Sequence, residues 1–333
     1  MQTAVMACMR DECMFVLEWV AYHRVIGFDH VFVCTNNCDD GTDALLDRLG
    51  DLGVVTHLRN DDHGAIPAQR AGVAKVLAHP DTAKCRWLLR IDADEYLNIY
   101  AGHGRLDDWL PMVDRFDAVA VTWRLFGDSG VYLWPKHGLQ TEILTRCAAK
   151  SSNFTAMQKT MFDPCTFAEG HDHMPKGPLR QVTLCNAMGR RLDPAAMYDP
   201  KSADHRDASG GSVNRRRHMP WQGAVINHYA VRTRDLFLMK NVRGAASGSK
   251  FRKRYLLNSR WHRASNANDV EDISIQRHLP AIKMLIAQWR QADPEIAQIE
   301  AMAHDRHEKM RRDWLTPQRV AVLTNAPALA RAG

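Results

Sequence analysis

Two carboxylates one residue apart, Asp92 and Asp94, close the apolar run Arg86-Trp87-Leu88-Leu89-Arg90-Ile91. Alternate residues of an extended chain share a face, so an Asp-x-Asp at a strand end presents both side chains to one side. Such a pair suits Mg²⁺ or Mn²⁺, hard cations that take a few carboxylates together with the oxygens of a diphosphate. A turn-forming or capping acidic cluster uses the same residues without metal. A phosphatase or phosphomutase would instead make the first Asp a phosphoryl nucleophile. That chemistry wants the pair on the first strand. Here the first strand ends in Arg10-Asp11-Glu12 and the pair comes three β-α units later, which favours nucleotide recognition. Lys240 and Arg243, three apart on a helical stretch, are spaced to clamp a diphosphate and stabilise a departing nucleotide. The same spacing also describes a plain basic face, since Lys250, Arg252, Lys253, Arg254, Arg260 and Arg263 make the whole stretch positive.

The elements that must position these groups alternate along the first hundred residues. Residues 3–9 (TAVMACM) read as a buried strand, and Met14 to Ile26 as a helix closed by Gly27. His30 to Cys34 is a second strand, followed by the turn formers Thr35 to Thr42 and the helical ALLDRLGDL. Gly53 to Leu58 is a third strand, and Ala65 to Leu77 a helix with Pro67 in its first turn. The fourth strand is Arg86 to Ile91. This order predicts an α/β fold, a Rossmann-like, mostly parallel sheet with helices on both faces and ligands beyond the carboxyl ends of the strands. Asp117 to Leu125, Gln140 to Arg146 and Ala224 to Tyr229 read as further strands, and Asp193 to Trp221 as a long loop. Helices are expected over Arg234 to Val242, around Ile273 to Ala292, and over Glu295 to Trp314.

Composition removes several classes. The 333 residues are 45% hydrophobic, 25% charged and 8% aromatic, which excludes disorder, collagen and coiled coil. Lys+Arg 44 against Asp+Glu 38 gives +6, a bias toward anionic ligands that does not identify nucleic acid as a partner. The eight cysteines form no CxxC pair and read as reduced core thiols. No apolar stretch is long enough for a transmembrane helix, and the N-terminus reaches charge too early for a signal peptide. The expected compartment is the cytoplasm, with peripheral contact at the inner face of the membrane as a further expectation.

Several motifs in order then carry a resemblance: RDECMFVLEWVAYHRVIGFDHVFVCTNNCDDGTDALL, PAQRAG and WLLRIDADEYL, continuing through FGDSG, Lys159, the His171/His173 region and NHYAVRTRDLFLMKNVRG. This text resembles the glycosyltransferase family 2-like proteins and their relatives in the domain-of-unknown-function-23, galactosyltransferase-like group. It departs from them where Asp11-Glu12 stands for Asn-Glu and Cys38 for a serine. The resemblance implies an A-type glycosyltransferase fold, a nucleotide-sugar donor such as a UDP-sugar, Mn²⁺ or Mg²⁺ at the Asp-x-Asp, and inversion at the anomeric carbon. It places Asn36, Asn37 and Asp40 at the donor base and ribose, where an Asx-rich turn is the plainer reading. It sets Gln69 and Arg70 near the donor at the start of the third helix, and His228 as a third metal ligand. A buried histidine beside Tyr229 is the alternative for His228.

Inversion needs a carboxylate at the acceptor hydroxyl. Asp128, in the FGDSG turn, is the expected base, with Glu169 and Asp172 as competitors; His171 and His173 are acceptor contacts, metal-adjacent groups or a plain loop. Residues 1–245 are expected to form the catalytic domain, with 1–100 its nucleotide-binding half and 101–245 its acceptor half. Residues 246–333 are a helical C-terminal extension. The reading is a metal-dependent, nucleotide-sugar-dependent hexosyltransferase of polysaccharide biosynthesis, acting on a glycan or lipid-linked acceptor. Its rival is a non-catalytic sugar or polyanion binder whose basic 240–263 segment is the binding face. Nucleic-acid binding is a third option, weakened because the basic segment lacks interleaved stacking aromatics.

Overall fold

The computed structural model describes residues 2–151, 157–193, 220–243 and 255–324. The expected loop at 193–221 falls almost wholly outside these residues, as do Lys250, Arg252, Lys253 and Arg254 and the side chain of Arg243.

β1 (Gln2–Met9) is buried along nearly its whole length and lies between β2 (His30–Thr35) and β4 (Cys85–Arg90), parallel to both; β3 (Thr56–Arg59) extends the parallel set beyond β2. Central strands covered on both faces need continuous apolar text, and β1 and β2 supply it. Past β4 the sheet continues through β7 (Gln158–Phe162), antiparallel to both neighbours, to β6 (Ala118–Leu125), β8 (Leu184–Asn186) and β9 (Arg191–Leu192). β5 (Glu95–Ile99) pairs antiparallel with β10 (Ala224–His228), which in turn runs parallel to β6.

Helices cover both faces. α1 (Cys13–Ile26) ends at Gly27, whose φ of +112° lets its N–H reach back to the Arg24 carbonyl. α1 and α2 (Thr42–Asp51) share one core with the C-terminal helices α5 (Leu279–Ala292) and α6 (Pro294–Trp314), through Trp19, Leu46, Ile286 and Ile296. α3 (Ala68–Leu77) covers the other face through Val73 and Val76. It sits close to β1 and β2 because of Gly72, where a Cβ would lie 2.9 Å from Cys8 Sγ and 3.0 Å from Cys34 Cβ. α4 (Arg234–Arg243) follows β10.

Three expectations change. Asp92 and Asp94 lie on the turn between β4 and β5, not on a strand; the turn is closed by the Glu95 N–H donating to the Asp92 carbonyl at 3.0 Å. Residues 140–146 divide into a helical turn at Gln140–Ile143 and a short strand at Arg146–Cys147. The cause is Glu18: its buried carboxylate accepts the N–H groups of Gln140 and Thr141 at 2.6 and 2.8 Å, capping a helical turn. β7 was not expected as a strand; it is the antiparallel insertion that brings Lys159 under the Asp-x-Asp turn. The eight cysteines carry no disulfide.

Candidate active site

The turn at residues 92–94 is fixed by groups from three directions. The Tyr229 N–H donates to the Asp94 carbonyl at 2.8 Å, and the Arg232 guanidinium donates to the Ala93 carbonyl at 3.2 Å. Register between β5 and β10 sets His228 opposite Glu95, which carries the imidazole to the turn. Arg232, with φ at +55°, also pairs with Glu12 at 2.7 Å and lies over the Phe15 ring at 3.6 Å. The Arg10-Asp11-Glu12 end of β1 is thereby joined to the turn.

Each carboxylate has its own cation. Lys159 Nζ lies 2.8 Å from Asp92 Oδ2 and 3.1 Å from Glu95 Oε2, with a side chain only 1% exposed. Arg90, equally buried, reaches Asp92 at 3.6 Å and Asp172 at 3.0 Å. Lys240 donates to Asp94 Oδ2 at 3.1 Å and to the Ala230 carbonyl at 2.8 Å. Burial opposes ionisation of Asp92, but Lys159 and Arg90 outweigh it and hold the carboxyl well below the usual range. Asp94 is held low in the same way, against its burial, by Lys240 and His228. Glu95 is the exception: burial pushes it up to about 8 despite Lys159. Burial pushes His228 down to about 4, leaving a neutral imidazole able to act as a ligand.

His228 Nε2 lies 3.7 Å from Asp94 Oδ1, and among the described residues no hydrogen bond is made to His228 Nδ1. A carboxylate oxygen and a neutral imidazole facing each other are donors that Mn²⁺ or Mg²⁺ accepts, so these residues fit a cation in kind. Asp92 is turned onto Lys159, and among the described residues no three ligating side chains converge on one point.

Beside the turn opens a cavity of about 400 Å³. One wall is the β1 loop with the first turn of α1 (Arg10, Asp11, Met14, Phe15), another the β2 loop (Asn37, Asp39, Asp40); α4 adds Met239 and Lys240, and α6 adds Arg306, His307 and Met310. Lys240 belongs both to this cavity and to the Asp-x-Asp cluster, which joins the two.

The structure sorts the sequence candidates. Asp92, Asp94, His228 and Lys240 come together, and Asn37 and Asp40 line the adjoining cavity. Asn36 follows β2 at the same loop but is not on the cavity wall. Asp40 also has a structural task, accepting from the N–H groups of Cys13 and Thr42, each at 2.9 Å. Gln69 and Arg70 stand away from the cavity; Gln69 offers its carbonyl to Cys8 Sγ, and Arg70 is an exposed partner of Glu169 at 3.4 Å. Asp128 is a loop anchor, accepting from Asn266 Nδ2 at 2.9 Å, Asn268 Nδ2 at 3.2 Å and the Gly130 N–H at 3.0 Å. His173 is buried, bonds the Gln158 carbonyl through Nδ1 at 2.9 Å and packs edge-on against Trp123.

Arg90, Lys159 and Arg232 join the site without a role expected from sequence. A signal for the first two exists: a cation within the apolar runs WLLRI and QKTMF must be paired if those runs are buried.

No family model matches the chain. Curated relatives include a glycosyltransferase family 92 protein of Oryza sativa subsp. japonica, 26% identical over 189 residues, covering 55% of this chain and 31% of that protein. Another is a glycosyltransferase family 92 protein of Ricinus communis, 24% identical over 243 residues, covering 69% of this chain and 35% of that protein. The chain thus spans about a third of the length of the curated relatives it matches. Among solved structures, S. aureus TarS 1-349 in complex with UDP shares 13% identity at a TM-score of 0.33, over 50% of this chain and 48% of that one. Glucosyl-3-phosphoglycerate synthase from Mycobacterium tuberculosis, in complex with Mn²⁺, UDP and glucosyl-3-phosphoglycerate, shares 12% at 0.27, over 37% and 44%. Structural likeness this slight carries no argument. Among the described residues no helix is long and apolar enough to cross a membrane.

Proposed function

We propose that the chain is a nucleotide-sugar-dependent glycosyltransferase with an A-type fold, using the Asp92–Asp94 turn for the donor diphosphate and the adjoining cavity for its nucleoside. The observation that carries this reading is the junction at Lys240, one ammonium shared by the carboxylate turn and a cavity of about 400 Å³. The similarity to proteins named glycosyltransferases supports it.

Asp94 and His228, with Asp92, would hold Mn²⁺ or Mg²⁺, whose chemistry there is neutralisation of diphosphate charge. Lys240 would exchange Asp94 for a phosphate oxygen and stabilise the departing nucleoside diphosphate. In an inverting transfer the acceptor oxygen bonds to the anomeric carbon as the bond from that carbon to the diphosphate oxygen breaks. The electron pair leaves with the nucleotide, and the acceptor proton goes to a carboxylate. We assign the base to Asp172, half-buried and one guanidinium from Asp92 through Arg90, in place of the anchored Asp128. The positive charges of Lys159 and Arg90 offset the mutual repulsion of the carboxylates at the turn.

The test is release of UDP from a panel of UDP-hexoses in the presence of Mn²⁺, with Asp172→Asn and Asp128→Asn compared. Turnover by the wild type and by Asp128→Asn, with a loss of at least a hundredfold in Asp172→Asn, supports the reading. Loss in Asp128→Asn with an unchanged melting temperature, and none in Asp172→Asn, returns the base to Asp128.

A further inference from the structure

We infer that the C-terminal helix α6 is part of the donor site, and that Arg306 and Met310 set the affinity for the nucleoside of a nucleoside diphosphate. The inference rests on the proposed transferase reading and extends it to a helix that carries no recognised donor motif.

Ala303, Arg306, His307 and Met310 recur at helical spacing, so they form a single stripe, and that stripe lines the cavity. The helix is held there by specific bonds. Asp235 at the start of α4 is buried and pairs with Arg311 at 3.2 Å. Lys136 pairs with Asp305 at 2.6 Å, and Arg48 reaches Asp293 at 2.5 Å. Ile296 and Ala303 are buried in the same core as α1. A wall fixed at both ends and through its core does not drift from the pocket it faces.

Its chemistry matches a nucleoside. Arg306 pairs with Asp39 at 2.7 Å, linking α6 to the β2 loop, and the Asp39 N–H donates to Asp11 at 3.0 Å, linking that loop to β1. Three walls are therefore joined at the rim by one ion pair and one hydrogen bond. Met310 on α6, Met239 on α4 and Met14 on α1 all line the cavity, and polarizable thioethers suit an aromatic ring. Asn37 supplies an amide for a ring edge. The diphosphate then leaves the cavity past Lys240 toward Asp94.

The experiment is calorimetric titration of UDP and GDP in Mn²⁺ on the full chain, with Met310→Trp, Arg306→Ala, Asp94→Asn and the solvent-facing control Lys309→Ala, each checked by thermal melt. Met310→Trp fills the cavity and should weaken UDP at least tenfold; Arg306→Ala should weaken it several-fold, and Lys309→Ala should leave it unchanged. UDP binding that Asp94→Asn abolishes but that neither Met310→Trp nor Arg306→Ala alters overturns the α6 inference while the transferase reading stands. Absence of binding of either nucleotide to the wild type overturns both.

Discussion

At the scale of single residues, the site is an exercise in charge pairing. Lys159 is buried between Asp92 and Glu95, so its removal leaves the fully buried Glu95 without its cation and Asp92 with Arg90 alone. Lys159→Met is expected to cost about 3–5 kcal/mol of stability, the usual result of breaking one side of a buried pair. Urea denaturation checks this; an unchanged midpoint would mean the carboxylates find another partner. Asp92 and Asp94 were legible in the sequence because their spacing and the strand before them are local. Their partners were not, because pairing Lys159 with Asp92 depends on β7 being inserted beside β4, a long-range event no local pattern encodes. The partners of Asp128 are hidden for a related reason: a carboxylate in a Gly-rich turn looks free until Asn266 and Asn268 close on it from a distant part of the chain.

At the scale of elements, close approach is set by glycine. Gly72 admits α3 to within contact of Cys8 and Cys34, so Gly72→Ala must push the helix off β1 and β2 and is expected to cost about 1–3 kcal/mol. Gly50, inside α2, meets only the Val55 carbonyl at 3.7 Å, so Gly50→Ala should instead stabilise by about 0.5–1 kcal/mol through helix propensity. Thermal melts of the two variants should move in opposite directions; a common direction would contradict the packing account. The repeating β-α order of the first hundred residues was readable from apolar runs and their turn residues. The helical turn at Gln140–Ile143 was not, because its cap is the side chain of Glu18, far away in sequence.

At the scale of the whole molecule, α5 and α6 belong to the same core as the N-terminal β-α units. A chain ending at Asp293 loses Ile296 and Ala303 from that core and leaves Asp235 without Arg311, so it should fail to give a cooperative melt, where an independently stable N-terminal part would melt normally. The buried histidines add an acid limit. Burial pushes His23 down to about 3, and His173 and His304 to about 4, from an ordinary 6.5. A depressed folded value means their contribution is complete above 6.5 and is lost as pH falls through about 4, at up to about 1.4 kcal/mol per pH unit for each group. Glu18 and Glu95, both raised by burial, take up a proton more readily when folded and offset part of this, against the larger number of buried imidazoles. The denaturation midpoint at pH 5 should accordingly lie below that at pH 7.5; the reverse order would contradict neutral burial of the imidazoles.

We propose that the Asp92–Asp94 turn and the cavity beside it form one donor site. Its most direct test is calorimetric titration of UDP into the wild type and into Asp94→Asn, each with and without Mn²⁺. The expected result is Mn²⁺-dependent binding of UDP to the wild type that Asp94→Asn loses. UDP binding equal in both proteins and indifferent to Mn²⁺ would contradict it.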